Sequence, residues 1–279
     1  IAKERICPQL DGYEFGTYTD ENGGPPSYAL YKPAADNHTN ALVMWNHGAG
    51  EYGTDVQIDL LCNEVTAYSG EEFQNIMSGA YVLVPQRRSG EGATTTKTVA
   101  ELIQKVLAEN PDIDPNRVIE TGCSAGGAFT LNMEIDYPEL FAAAAPICPA
   151  KTINEKEAEI IKGIPNWFIH AKNDPTVNVN SSNVGIELLK KAGAEVHMSF
   201  FDDVHDTTGR FVGEDGQPYQ YAGHWSWIYA DNNECNCDEC KDLNCWEWMS
   251  KQFKETDVEY PPGYVVEENT NEEWNALFE

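Results

Sequence analysis

The amino-acid sequence predicts an α/β protein whose mostly parallel central sheet is covered by helices on both faces. Short apolar runs of the length of fully buried strands alternate with segments of helical periodicity, which is typical of βαβ units. The chain has 279 residues, enough for one large α/β domain or two small ones. Because no internal repeat or low-complexity linker divides the sequence, a single domain over residues 1–279 is the simplest prediction.

The predicted strands begin with two short runs on either side of a turn-prone segment at residues 22–26. Together with the buried runs that follow, the predicted strands are residues 13–18, 27–32, 41–45, 81–84, 117–121, 167–170 and 195–201. The predicted helices are residues 99–109, 125–137 and 184–191, and residues 246–253 are compatible with a closing helix. Gly193 is expected to end the third helix. The acidic tail after Pro261 has weak periodicity, and no element is predicted for it.

The charge of the chain excludes several classes of partner. With 18 basic and 46 acidic residues, the formal net charge is −28, which would repel nucleic acid and anionic membrane surfaces. Hydrophobic residues make up 41% of the chain and aromatic residues 11%, so intrinsic disorder is also disfavoured. No apolar run reaches the length of about 18 residues that a membrane-spanning helix needs. We therefore expect neither a nucleic-acid nor a membrane partner.

The segment from Gly122 to Gly127 contains the pattern G-x-S-x-G between a predicted strand and a predicted helix. A nucleophile elbow requires that context, with small residues on both sides of a serine that lies on a strained turn. The hydroxyl of Ser124 would then point out at the carboxyl end of the sheet, where the helix N-terminus stabilises developing negative charge. Ser124 is therefore the predicted nucleophile. The flanking elements disfavour the alternative, a glycine-rich turn that merely contains a serine.

A second glycine-rich loop, NHGAGE at residues 46–51, follows an early buried strand. In enzymes with a nucleophile elbow, a loop in this position supplies one backbone N–H to the oxyanion hole, beside the N–H of the residue after the nucleophile. These donors are assigned to Ala49, with Gly50 as its substitute, and to Ala125. His47, in the same loop, is expected to hold the loop by hydrogen bonds and not to transfer protons.

A serine nucleophile needs a base, and the base needs a carboxylate that orients it. Asp174 lies just past the end of a buried strand, at the position expected for that acid. The alternative is a turn-forming aspartate before Pro175, because aspartate is common in turns of this kind. His170, at the end of the strand, is expected to be a packed and hydrogen-bonded histidine.

Two histidines downstream of the predicted acid are candidates for the base. His205 follows the last predicted strand almost directly, but three aspartates flank it, and they would raise its pKa and favour the charged imidazolium. His224 lies in an aromatic, low-charge setting after a hairpin that is predicted to turn at residues 214–216. Because a base must be free of its proton at the working pH, His224 is favoured and His205 remains the alternative.

Eight cysteines are present, and half of them crowd into the segment CNCDECKDLNC. The four clustered cysteines are Cys235, Cys237, Cys240 and Cys245. Disulfides are favoured there over free thiols and zinc, because zinc sites prefer well-separated C-x2-C pairs and only Cys237 and Cys240 have that spacing. A secreted protein is therefore expected. The chain begins at Ile1 without Met and without an apolar signal segment, so either a leader has been removed or the sequence was shortened.

Taken together, the segments WNHGAGE, DIDPNRVIETGCSAGG, FIHAKNDPTV and GHWSW resemble the α/β-hydrolase fold. More narrowly, they are similar to secreted serine esterases related to polyhydroxybutyrate depolymerases and feruloyl esterases, a group also described as prolyl-oligopeptidase-like. The resemblance covers roughly residues 41–253. It implies Ser124 as nucleophile, Asp174 as acid and His224, in Gly-His-x-x-Trp, as base. An insertion at about residues 205–222 and the Cys-rich segment at 235–245 depart from the family pattern.

These features predict a serine carboxylic-ester hydrolase that acts through an acyl-enzyme and needs no metal or organic cofactor. Polysaccharide-linked, phenolic or polyester esters are the expected small-molecule or polymeric substrates. Aromatic residues near the predicted base would contact them, namely Tyr219, Tyr221, Trp225 and Trp227. The alternatives are a serine peptidase of prolyl-oligopeptidase type, because a triad alone does not distinguish esters from amides, and a non-catalytic polysaccharide-binding module. The sequence indicates no oligomeric state.

Overall fold

A computed structural model of the chain describes residues 10–18, 27–35, 38–63, 65–90, 93–240 and 242–254. Within these residues, eight strands form one sheet in the order β1-β2-β4-β3-β5-β6-β7-β8. The strands are β1 Tyr13–Thr17, β2 Ser27–Tyr31, β3 Asn40–Asn46, β4 Ala80–Pro85, β5 Ile113–Cys123, β6 Ala143–Ile147, β7 Asn166–Ala171 and β8 Val196–Phe201. β2 pairs antiparallel with β1 and β4, and all other neighbours are parallel. The predicted, mostly parallel sheet is confirmed.

Helices lie on both faces of the sheet, as predicted. They are α1 Gln57–Leu61, α2 Glu71–Met77, α3 Thr96–Glu109, α4 Ala125–Asp136, α5 Glu155–Ile161, α6 Asn180–Ala192, α7 Trp227–Asp231 and α8 Cys245–Met249. Buried side chains of α1, α2, α7 and α8 join one hydrophobic cluster, and those of α3 to α6 join a second. No helix in the described part of the chain is long and apolar enough to cross a membrane.

The central strands divide their side chains between the two clusters. All seven residues of β3 are buried. Val43 and Trp45 contribute to the first cluster, whereas Leu42 and Met44 contribute to the second, because successive side chains of a strand point to opposite faces. Strands that are buried on both faces lose the alternation of apolar and polar residues, which is why β3 appears in the sequence as a continuous apolar run.

The structure adds elements that the sequence did not predict. β6 has the sequence AAAPI, which combines alanine with proline, and both are depleted in strands. It is nevertheless a buried parallel strand between β5 and β7. The short helices α1, α2, α5 and α7 were also not predicted, and the closing helix is shorter than the predicted segment. The turn at residues 22–26, Cys7 and the tail after Pro261 lie outside the described residues.

The Cys-rich segment requires a correction. The four clustered cysteines are free thiols, so the predicted local disulfides are absent from the described residues. Cys235, Cys237 and Cys245 instead pack into the first hydrophobic cluster. The Sγ of Cys237 also accepts a hydrogen bond from the backbone N–H of Cys240 over 3.0 Å. The expectation of a secreted protein depended on disulfides and is left without that support.

Candidate active site

Ser124 lies between the end of β5 and the start of α4, at the carboxyl edge of the sheet. Its backbone has φ 57° and ψ −114°, a strained conformation for a residue with a side chain. The flanking glycines allow this turn to pack tightly: a Cβ atom at Gly122 or Gly126 would overlap the backbone oxygen of Asn46, at the end of β3. The G-x-S-x-G pattern is therefore explained by close backbone contact on both sides of the serine.

The structure brings Ser124, His224 and Asp174 together in one hydrogen-bonded chain. His224 Nε2 lies 2.9 Å from Ser124 Oγ, and His224 Nδ1 lies 2.7 Å from Asp174 Oδ2. Since a carboxylate only accepts, Nδ1 carries the proton, and Nε2 is free to accept the proton of the serine hydroxyl. The imidazole is 12% exposed and the carboxyl group of Asp174 is fully buried. This arrangement can deprotonate a serine.

Asp174 is held by hydrogen bonds on both of its oxygens. Oδ1 accepts the backbone N–H groups of Thr176 at 2.7 Å and Val177 at 2.9 Å, while Oδ2 faces His224. Burial opposes ionisation of Asp174, but the hydrogen bonds from His224 and the two amides outweigh it, and the pKa of the carboxyl group lies below its ordinary value. Asp174 is therefore an anion in a fixed orientation.

A second imidazole contacts the same carboxyl oxygen. His170, fully buried at the end of β7, has its Nε2 at 3.2 Å from Asp174 Oδ2 and 3.0 Å from the carbonyl oxygen of Val177. Its Nδ1 lies 2.8 Å from Ser182 Oγ. Because a carbonyl oxygen only accepts, Nε2 is the protonated nitrogen. Burial lowers the pKa of His170, so it is a neutral donor to the loop and to Asp174. The sequence predicted a packed histidine here but not its contact with the acid.

The amides assigned to the oxyanion hole begin two helices near Ser124. Ala125 is the first residue of α4, and Ala49 is the first residue of a short 3₁₀ helix, Ala49–Glu51. N–H groups in the first turn of a helix have no partner within that helix and are available to an anion. Gly48, Ala49 and Gly50 line the same cavity as Ser124.

His47 holds this loop in place. It is fully buried, its Nδ1 donates to the carbonyl oxygen of Gly48 at 2.7 Å, and its Nε2 accepts the backbone N–H of Arg87 at 2.8 Å. The guanidinium of Arg87 also donates to the carbonyl oxygen of His47. Burial, and then the charge of Arg87, lower the pKa of His47 to about 3, so the ring stays neutral. Arg87 was missed by sequence reasoning, and its position directly after β4, at the carboxyl edge, was the available signal.

His205 is directed to other partners. Its Nδ1 lies 2.7 Å from Asp203 Oδ1, and its side chain is 43% exposed. It lies where the chain enters the predicted insertion, and two backbone hydrogen bonds there define the neck of the insertion. The N–H of Asp206 donates to the carbonyl oxygen of Tyr219, and the N–H of Tyr221 donates to the carbonyl oxygen of Val204, both over 2.8 Å. The insertion folds into a hairpin, with an antiparallel bridge between Val212 and Pro218.

After the hairpin, a tight backbone contact positions the chain just before His224. Gly223 lies so close to Asn173 that a Cβ atom would overlap the Asn173 side chain and stand 2.7 Å from its carbonyl oxygen. The thiol of Cys148 donates to the carbonyl oxygen of His224 at 3.4 Å. The residues before the acid and before the base therefore touch, which fixes the separation of Asp174 and His224. These supporting residues were not predicted, because nothing in the sequence pairs them.

An aromatic cavity of about 680 Å³ opens in front of Ser124. Tyr219, Tyr221, Trp225 and Trp227 line it and follow one another at ring separations of 5.1, 6.1 and 6.3 Å. Phe211, in the first arm of the hairpin, adds a side chain that is 57% exposed. The aromatic residues that the sequence placed near the base therefore form a wall of the cavity.

Cys148, Asp174 and His224 offer three donor atoms within 4.8 Å of one another, a separation that a metal ion could bridge. However, both carboxylate oxygens of Asp174 and both ring nitrogens of His224 already have hydrogen-bond partners. The chemistry of this donor set fits proton transfer better than metal binding.

Comparison with solved structures defines the class of the protein. A thermostable esterase matches 88% of this chain with a TM-score of 0.70 and 28% identity, and 64% of its own chain is covered. The acylaminoacyl peptidase of Pyrococcus horikoshii (TM-score 0.57, 16% identity, 93% of this chain and 44% of that one) and an esterase of Thermogutta terrifontis (0.55, 17%, 81% and 94%) share the fold. The chain has the α/β-hydrolase fold.

Sequence comparisons match parts of this chain to esterases and a depolymerase. A family model described as Phospholipase/Carboxylesterase matches residues 84–214, which include Ser124 and Asp174. The poly(3-hydroxyalkanoate) depolymerase C of Paucimonas lemoignei is 35% identical over 83 residues, covering 24% of this chain and 20% of that protein. The chain thus spans about a fifth of this depolymerase and less than two thirds of the thermostable esterase.

Proposed function

We propose that this α/β hydrolase is a serine carboxylic-ester hydrolase that acts through an acyl-enzyme. The observation that carries the proposal is the hydrogen-bonded chain from Ser124 through His224 to Asp174, at the inner end of an open aromatic cavity. The similarity to carboxylesterases and to a polyester depolymerase supports an ester as the substrate.

In the first half-reaction, Ser124 Oγ attacks the ester carbonyl carbon while His224 Nε2 takes the hydroxyl proton. Asp174 keeps the proton on Nδ1 and stabilises the imidazolium. The backbone N–H groups of Ala125 and Ala49 donate to the tetrahedral oxyanion, aided by the N-terminus of α4. When the intermediate collapses, the C–O bond breaks, and His224 returns the proton to the leaving alcohol.

In the second half-reaction, a water molecule takes the position of the alcohol. His224 accepts one of its protons as the oxygen attacks the acyl carbon, and the same amides stabilise the second oxyanion. Collapse releases the carboxylic acid and returns the proton to Ser124. The neutral state of His224 is restored after each half-reaction, so no further group is required by this cycle.

The cavity favours substrates with an apolar or aromatic part next to the ester. Its aromatic wall offers ring faces for stacking, and a flexible anionic polymer would be repelled by a chain with a net charge of −28. Phenolic esters, esters on neutral polysaccharides and aliphatic polyesters fit these conditions. Phenolic esters fit best, because an aromatic acyl group can stack on Trp225 or Tyr219.

Covalent labelling and kinetics test the proposal together. A fluorophosphonate should label the peptide that contains Ser124, and Ser124→Ala should lose both the label and at least about 10³-fold of nitrophenyl butyrate turnover. Ser250→Ala, which changes a serine directly after α8, is the matched control and should retain both. Label on another residue, or near wild-type turnover by Ser124→Ala, would refute the assignment. Faster cleavage of a peptide anilide than of feruloyl, acetyl-xylan or polyester substrates would favour a peptidase.

A further inference from the structure

Away from the active site, we propose that His197, Cys237 and Cys240 bind one divalent metal ion of the zinc class. His197 is the second residue of β8, near the end of the strand opposite the catalytic edge. The two cysteines belong to the Cys-rich segment, about 40 residues later in the chain. Their three donor atoms all lie within 4.8 Å of one another, and His197 Nδ1 is 3.8 Å from Cys237 Sγ.

The two cysteines have the backbone geometry of a metal knuckle. In the pattern Cys-Asp-Glu-Cys, the N–H of Cys240 donates to Cys237 Sγ over 3.0 Å, so the sulfur of the first cysteine is held against the backbone of the second. Asp238, between them, ties the turn to β8: its N–H donates to the carbonyl oxygen of Met198, and its side chain accepts the N–H of Phe200, each over 2.9 Å. The turn is therefore fixed beside His197 before any ion binds.

The imidazole is oriented as a ligand. His197 Nε2 lies 3.1 Å from Glu195 Oε1, so the carboxylate accepts a hydrogen bond from Nε2–H and leaves the Nδ1 lone pair toward Cys237. Glu195 is itself held by the indole N–H of Trp248 at 3.0 Å. The ring lies beside Trp167 and Trp248, at centroid separations of 5.2 and 6.0 Å. A carboxylate behind a ligating histidine is the outer-shell arrangement that metal sites use.

The separation of His197 Nδ1 and Cys237 Sγ suits zinc. With Zn–S bonds of about 2.3 Å and Zn–N bonds of about 2.0–2.1 Å, tetrahedral geometry places a sulfur and a nitrogen ligand about 3.6 Å apart. The observed separation of 3.8 Å needs a shift of only a few tenths of an ångström. Two thiolates and an imidazole are soft ligands that favour zinc over magnesium or calcium. Cys240 is exposed, so water can complete the coordination on that side.

The metal would act as a clamp on the sheet. β8 is the last strand in the sheet order, and the segment around Asp238 covers its outer edge. An ion that joins His197 to the knuckle would cross-link that edge to the Cys-rich segment, much as a disulfide would. The ion would therefore raise thermal stability and would take no part in ester hydrolysis, so this proposal stands independently of the proposed function.

Cobalt titration of the reduced protein tests the site, because Co²⁺ reports thiolate ligands and tetrahedral geometry by absorbance. One equivalent should produce a thiolate-to-cobalt charge-transfer band and intense tetrahedral d–d bands, and Zn²⁺ should abolish both. Cys240→Ser and His197→Gln should weaken Co²⁺ binding by more than Glu195→Gln, for which a loss of about 10- to 100-fold is expected. Cys62→Ser, at a free thiol outside the cluster, is the matched control and should bind normally.

Three results would overturn the proposal. One is a folded, reduced wild-type protein, checked by circular dichroism, that gives no charge-transfer band at millimolar Co²⁺. Another is equal binding by wild type, Cys240→Ser and His197→Gln, which would place the ion elsewhere. The third is evidence from thiol counting and mass that Cys237 and Cys240 close into a disulfide that persists under mild reductant, in which case a redox pair replaces the metal site. Because Cys240 is exposed, its serine variant is expected to fold and keeps the test decisive.

Discussion

Asp174→Asn is the sharpest test of the candidate triad, because the substitution preserves shape while it removes the negative charge and replaces one accepting oxygen with a donating NH₂ group. In the native protein, one carboxylate oxygen accepts two backbone amides, and the other faces the ring N–H groups of His224 and His170. An asparagine can present its carbonyl oxygen to only one of these pairs. If the NH₂ group faced the backbone amides of Thr176 and Val177, donors would point at donors over 2.7 and 2.9 Å. The carbonyl oxygen of the asparagine should therefore stay beside these two amides.

The NH₂ group of the substituted side chain would then point at His224 Nδ1. To accept that hydrogen bond, the imidazole must move its proton to Nε2, and Nε2–H then faces Ser124 Oγ at the 2.9 Å position where a base is needed. A base in the wrong tautomer cannot take the serine proton. We therefore expect kcat to fall by about 10⁴-fold, which corresponds to a barrier higher by about 5.5 kcal/mol.

Nitrophenyl butyrate hydrolysis under saturating substrate measures this effect, with circular dichroism and thermal melting to verify the fold. Asp202→Asn is the matched control, because the side chain of Asp202 is 88% exposed and pairs with the exposed Lys172. A solvent-exposed pair of that kind contributes little to stability, and we expect unchanged turnover. If Asp174→Asn retains turnover within about tenfold of wild type while folded, another carboxylate orients the base and the derivation above is wrong.

Three further predictions concern the base, the elbow and a buried acid. His224→Ala should match the loss of turnover of the nucleophile variant, whereas His205→Ala should keep most activity; the reverse pattern in the same ester assay would exchange their roles. Gly126→Ala should destabilise the fold by about 1–3 kcal/mol or more in urea unfolding and abolish activity, because its Cβ has no space, whereas Gly163→Ala, with open space around it, should do neither. Burial raises the pKa of Glu134 from 4.5 to about 8, so the folded protein holds a proton that the unfolded chain releases, and stability should fall as pH rises from about 5 to about 8. Glu134→Gln should remove up to about 1.4 kcal/mol per pH unit of that slope, and an unchanged slope would show that Glu134 is ionised in the fold.

The sequence predicted the elements that have a strong local signal. The apolar run of β3 and the glycine stop after α6 were both visible, the latter because Gly193 takes a left-handed conformation with φ 87°. β6 was not visible, because its alanines and Pro146 are poor strand formers. Its neighbours supply the reason it forms: small side chains fit between two already buried strands, and the hydroxyl of Thr121 donates to the carbonyl oxygen of Ala145.

The candidate active site likewise contains residues that the sequence could predict and residues that it could not. Ser124 was predictable because the elbow needs glycines within two residues of the serine, and that requirement is local. The supports of the site were not predictable, because Arg87 behind the oxyanion loop and Gly223 against Asn173 are contacts between distant segments. The prediction of disulfides in the Cys-rich segment was wrong for a related reason. Cysteine spacing limits which sulfurs can meet, but the direction of each Sγ depends on the strand beside it, here β8 with His197.

Backbone hydrogen bonds close the hairpin at its first and last residues, and this separates Phe211, which lines the cavity, from the chain of Ser124, His224 and Asp174. Backbone hydrogen bonds join Val204 to Tyr221 and Asp206 to Tyr219, so residues 207–218 leave and re-enter the fold at one point. His224 follows the hairpin in the chain and is held separately, by the contact of Gly223 with Asn173. Loops anchored in this way tolerate changes of length and sequence. Residues 207–218 could therefore be exchanged to change the part of the cavity around Phe211, while the distances between Ser124, His224 and Asp174 stay constant.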